Sequence, residues 1–198
     1  MVDVPEVRSL LARAFFHDPM FAWMFPQEAI RLDSSALFFG LLTEFYSEFG
    51  SVETVASAED PDSLAGVALT RVSARDEPYP RAQTLPSLRG YLATVLGSDR
   101  ADAVFGGLAS VDELAPAGER YVYLNTLGVE PQSHGHGYGS SLLTRIGETA
   151  NASQLPVHLE TTNPDNVGWY EKYGFAVRGT MQLGDGPNLW AMTRQPVR

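Results

Sequence analysis

Between Val129 and Leu143 the chain reads Val129-Glu130-Pro131-Gln132-Ser133-His134-Gly135-His136-Gly137-Tyr138-Gly139-Ser140-Ser141-Leu142-Leu143, with three glycines at alternate positions. A strand-like run, Tyr121 to Val129, precedes it, and Leu142, Leu143, Ile146 and Ala150 then fall on one face of a helix. Glycine lets the backbone approach a bound group and take φ > 0. A helix starting directly afterwards aims unpaired N–H groups and its positive dipole end at whatever sits in the turn. The chemistry on offer is anion binding, and phosphate is the usual occupant. The Walker pattern is excluded, because Gly139 is followed by Ser140 rather than Lys. A dinucleotide fingerprint is also excluded, because it needs two residues before its last glycine and an acidic residue about twenty positions on.

A second segment, Val157 to Phe175, carries side chains that could move protons. Strand alternation sends His158, Glu160 and Thr162 to one face and Val157, Leu159 and Thr161 to the other. Glu160 and His158 are therefore candidates for a general base, directly or through water. Asn163, Pro164 and Asp165 read as the N-cap, first residue and acidic first turn of a helix. Gly174-Phe175 reads as the glycine and following hydrophobic residue that end it. His134 and His136 have no carboxylate at ligand spacing beside them, so no metal site is expected.

Taken together, the glycine loop and Asn163-Pro164-Asp165-Asn166-Val167-Gly168-Trp169-Tyr170-Glu171-Lys172-Tyr173-Gly174-Phe175 resemble the two core motifs of the GNAT superfamily, the acyl-CoA-dependent N-acetyltransferases. The resemblance runs from about Tyr121 to Arg194 and is similar to the puromycin N-acetyltransferase-like branch, as is the early Ala14-Phe15-Phe16-His17-Asp18-Pro19 to Pro26 stretch. It implies acetyl-CoA as acyl donor, with Leu127, Gly128 and Val129 meeting pantetheine as an added strand would. The amides of His134, Gly135, His136, Gly137, Tyr138, Gly139 and Ser140 would then hold the pyrophosphate. His134 stands where the family has Gln or Arg. The resemblance places Asn163, Asn166 and Tyr170 against the cofactor, makes Tyr170 the general acid for the departing thiolate, and leaves Tyr173 to pack. Arg145 is a candidate to approach a phosphate, and Asp18 to meet a cationic amine.

The elements that must position these residues alternate along the chain. Helices are expected from Val7 to Phe15, Phe38 to Phe49, Leu85 to Leu96 and, more weakly, Ala101 to Leu114. Strands are expected at Ser51 to Ala56, Leu64 to Thr70, Tyr121 to Val129, Val157 to Thr162, Phe175 to Leu183 and Leu189 to Arg194. The pattern predicts one α/β domain over residues 1–198. The resemblance adds a GNAT fold, a mixed central sheet with a splayed strand pair flanked by helices. Helical periodicity starts so early that the first edge strand is expected to be absent, or the native start to lie upstream.

Composition narrows the function further. A net charge of −10 argues against nucleic acid as partner and favours a cationic substrate. There is no apolar run of roughly 18 residues and no leader-like start, so a cytoplasmic protein without membrane contact is expected. The absence of cysteine excludes a thiol acyl relay, so any transfer must be direct. The expected reaction moves acetyl from acetyl-CoA to a primary amine of a small molecule. Acetylation of a protein terminus or lysine, and a catalytically silent acyl-CoA-binding module, are the alternatives. A homodimer stays open.

Overall fold

The computed structural model describes residues 2–75, 77–118 and 120–197. Helix α1 (Val4–Ala14) starts where Asp3 accepts the Glu6 N–H at 3.0 Å, and it buries Val7, Leu10 and Leu11. Asp18 caps the short helix α2 (Pro19–Met24) in the same way, accepting from Met20 N–H at 2.9 Å. Helix α3 (Glu28–Phe49) follows and stops at Gly50, where a Cβ would lie 2.3 Å from the Thr70 carbonyl oxygen.

Six strands form one sheet: β1 (Ser51–Ala56), β2 (Leu64–Ala74), β3 (Arg120–Val129), β4 (Val157–Thr161), β5 (Ala176–Gln182) and β6 (Asn188–Arg194), in the order β1-β2-β3-β4-β6-β5. Every neighbouring pair is antiparallel except β3–β4, which is parallel. Helices α4 (Leu88–Leu96) and α5 (Ser98–Ala109) lie between β2 and β3, with a 3-10 turn at Ser110–Leu114. Helix α6 (Tyr138–Ala152) follows β3, and α7 (Pro164–Glu171) follows β4.

Both faces of the sheet are covered. Val67 and Leu69 of β2 pack into a core with α1 to α5, while Ala68 joins Leu124, Leu142, Ile146, Leu159 and Met192 in a second core under α6 and α7. Covering both faces is why β2 is buried continuously from Ala65 to Arg71. Gly128 is required where β3 meets α1, since a Cβ there would sit 2.7 Å from Leu11 Cδ2.

Two features of the sheet prepare the site. The β3–β4 pairing consists of Val122↔Val157 and Tyr123↔His158, and beyond that point the strands separate. The β2–β3 register jumps from Leu69↔Thr126 to Thr70↔Leu124, which leaves Asn125 as a bulge at the mouth of the split. The architecture is thus the mixed sheet with a splayed pair, and no strand precedes α1 among the described residues. The structure extends two expected elements, α3 back to Glu28 and β2 on to Ala74, and it adds α2. Phe175 precedes β5 rather than starting it.

Candidate active site

The glycine turn has the expected conformation. Gly135 and Gly137 both have φ of 82°, and Gly137 is the left-handed N-cap of α6 with no side chain capping the helix. The backbone amides from Gly135 to Ser140 donate no hydrogen bond among the described residues, so a run of unpaired N–H groups leads into a helix N-terminus. Gly139 is steric, its missing Cβ lying 3.3 Å from Val129 Cγ2. The histidines brace the turn: His134 Nε2 is 3.3 Å from the Val129 carbonyl and His136 Nδ1 3.1 Å from that of His134.

Three polar side chains near this turn are already engaged. Tyr138 Oη accepts the Ala58 N–H at 2.8 Å, and the Tyr173 hydroxyl donates to Ser140 Oγ, so Tyr173 does more than pack. Arg145 reaches the Thr54 carbonyl at 3.0 Å and lies 4.0 Å from Glu53, which directs it to β1 rather than to the turn. The polar groups left unpaired at the turn are therefore mainly backbone amides.

Helix α7 is fixed at both ends. Asn163 caps it, accepting from Asp165 N–H at 3.0 Å. At the other end Phe175 N–H bonds the Tyr170 carbonyl and Gly174 N–H that of Glu171, with Gly174 at φ 83°, which is the Schellman arrangement. This clamp and the rings of Trp169 and Phe175, at 4.8 and 5.6 Å, hold Tyr170. Tyr170 is 7% exposed, its hydroxyl makes no hydrogen bond among the described residues, and it lines a cavity of about 820 Å³. Burial, reinforced by Asp18, pushes its phenol well above the ordinary value. Asn166 lines the same cavity, its Nδ2 3.5 Å from Thr161 Oγ1.

The cavity opens where β3 and β4 part, taking Tyr123 to Leu127 from one strand and Glu160 to Thr162 from the other. The alternation expected along β4 brings its polar residues together. His158 is fully buried, with Nε2 2.8 Å from Glu160 Oε1 and Nδ1 3.0 Å from Thr193 Oγ1. Tyr123 stacks on the His158 ring at 6.3 Å. Thr162 donates to Asp18 Oδ1 at 3.2 Å, and burial raises the Asp18 pKa against the lowering effect of these hydrogen bonds. Asp112, Tyr79 and Asn125 also line the cavity. None of these three carries a motif or spacing cue in the sequence. Only the bulge at Asn125 has a local cause, and the other two arrive through long-range folding.

Past Val122↔Val157 and Tyr123↔His158 no pairing joins β3 to β4 among the described residues, the glycine turn follows β3, and Glu160 and Tyr170 line the cavity. Residues 94–177 match the model of the Acetyltransferase (GNAT) domain. The fold is similar to that of the histone acetyltransferase HPA2 and related acetyltransferase of Corynebacterium glutamicum, at 22% identity over 99% of this chain and 92% of that one, with a TM-score of 0.68. It is also similar to arylalkylamine N-acetyltransferase 2 of Aedes aegypti, at 13% identity, 97% and 94% coverage and a TM-score of 0.63. A third similar structure is Naa20 of Chaetomium thermophilum in complex with a bisubstrate analogue, at 14% identity, 80% and 73% coverage and a TM-score of 0.51. The fold is the GNAT fold, and the matched domain spans its glycine turn, β4 and α7. No helix among the described residues is long and apolar enough to cross a membrane.

Proposed function

We propose that the protein transfers acetyl directly from acetyl-CoA to the primary amine of a small molecule. The observation that carries this reading is the pairing of an ionisable carboxylate, Glu160, with a buried, unbonded phenol, Tyr170, on one cavity at the β3–β4 split.

In this reading pantetheine lies along Leu127, Gly128 and Val129, and the amides from Gly135 to Ser140 hold the pyrophosphate, the expected His134 N–H being taken by the Pro131 carbonyl at 3.4 Å. Asn163 and Asn166 stand beside that path. The amine enters from the cavity and Glu160 accepts its proton. Nitrogen attacks the thioester carbonyl carbon, the C–N bond forms, and the C–S bond breaks. Tyr170 gives its proton to sulfur as negative charge develops there, which burial favours by keeping the phenol protonated until that moment. A backbone amide at the Asn125 bulge is placed to receive the carbonyl oxygen as it becomes negative. Asp18 supports the cationic amine on its way in. The chain has no cysteine, so release of a thiol reports CoA alone.

The early residues and the C-terminal half are similar to the puromycin N-acetyltransferase-like branch, which supports a small-molecule acceptor. The test is acetyl-CoA-dependent thiol release across a panel of amines, with the product mass measured. Turnover of a small amine supports the reading, and turnover of peptides alone contradicts it.

A further inference from the structure

We propose that the acceptor is a primary amine carried on an uncharged aromatic or long aliphatic body, and not a polyamine, an amino sugar or a peptide terminus. This rests on the transferase reading of the same cleft. The cavity, at about 820 Å³, is within the size of a small-molecule site. Its wall away from Glu160 is made by Phe21, Phe38, Phe39 and Phe45 of α2 and α3, closed by Leu108 and Val111. Phe21 and Phe39 stack at 4.8 Å and Phe38 meets Phe21 edge-on at 5.5 Å, so this wall is packed as core.

Of the polar lining groups, Glu160 and Thr162 lie on the floor and Asp18 beside them, Asp112 is exposed at the rim, and Tyr46, Arg81, Ser87 and Asn125 also border the cavity. A single ammonium can therefore meet a carboxylate at the floor. A second ammonium, a sugar's hydroxyls or a peptide's amides set against the four phenylalanines would lose water without a partner on that wall, which is penalised, whereas an apolar body gains there. Tyr79 adds a further aromatic face to the lining, its ring stacking on Phe45 at 6.0 Å and lying under the Arg71 guanidinium at 4.3 Å.

The experiment measures kcat/KM by CoA thiol release for n-alkylamines from butyl to octyl and for phenylethylamine, against spermidine, glucosamine and a free tripeptide. The expected result is a rise of about fourfold for each methylene that the wall buries, with the three polar acceptors poorest. Leu108→Trp, which narrows the wall, should cut the octylamine to butylamine ratio by about tenfold, the effect of roughly two methylenes. A length dependence that is flat, or a preference for spermidine, glucosamine or peptide, overturns the inference and leaves acyl transfer standing. No thiol release above background with any of these acceptors, while acetyl-CoA still raises the melting temperature, overturns the transferase reading itself.

Discussion

His158 Nε2 lies 2.8 Å from Glu160 Oε1 with its ring sealed from solvent, and Thr193 Oγ1 holds the opposite ring nitrogen at 3.0 Å. The ring bridges the threonine hydroxyl and the carboxylate and thereby orients Glu160 at the cleft. His158→Ala should lower kcat by about tenfold or more, with the KM for acetyl-CoA unchanged. His158→Gln, which restores a donor toward Glu160, should recover part of the loss. Steady-state kinetics on the two variants check this, and equal losses in both would remove the positioning role.

Burial pushes the Tyr170 phenol up, and the nearby Asp18 charge adds to the shift. The acid form is therefore kept through neutral and mildly alkaline pH. The kcat profile of the wild-type enzyme should show no alkaline fall attributable to this group below the ordinary phenol value of about 10. A fall near pH 8 that disappears in Tyr170→Phe would contradict the placement.

Gly137 separates conformation from crowding, because a Cβ there meets no atom within 4 Å although φ is 82°. Gly137→Ala carries only the left-handed penalty, about 1–2 kcal/mol. If the turn relaxes away from φ > 0, the amide row is lost with it. Titration with acetyl-CoA should show affinity about tenfold or more weaker, and unchanged affinity would place the phosphates elsewhere.

Asp18 is raised by burial, so the folded state binds its proton more tightly than the unfolded chain does. Stability from this group is therefore present at low pH and lost as pH rises from the unfolded toward the folded pKa. Asp18→Asn keeps an acceptor for Met20 N–H and Thr162 but has no charge to bury. Its melting temperature relative to wild type should rise from acid to neutral pH. The KM for amines should rise as well. A variant that loses stability steadily as pH approaches neutral would contradict the sign.

Much of this site was legible because its cues are local. The glycines at 135 and 137 needed φ > 0, alternation put His158 and Glu160 on one face, and Asn163 and Gly174 marked the ends of α7. The acceptor wall was not legible. Helix α3 starts at Glu28 without a side-chain cap and carries buried residues on more than one side, so its first third shows no clean stripe. Tyr79 lies in the irregular segment after β2 and Asp112 in a 3-10 turn, and both reach the cavity only through tertiary folding. Arg145 was assigned to the anion by its place after the turn, yet the Thr54 carbonyl holds it, because from its helix position it faces the neighbouring strand.

The most direct test of the account compares amine-stimulated CoA thiol release by wild type and Tyr170→Phe at saturating acetyl-CoA, with acetyl-CoA binding followed separately by calorimetry. Binding should be unchanged and the rate about 10²-fold lower or worse in the variant. Equal rates in the two proteins would show that the buried phenol on this cavity does not protonate the leaving sulfur.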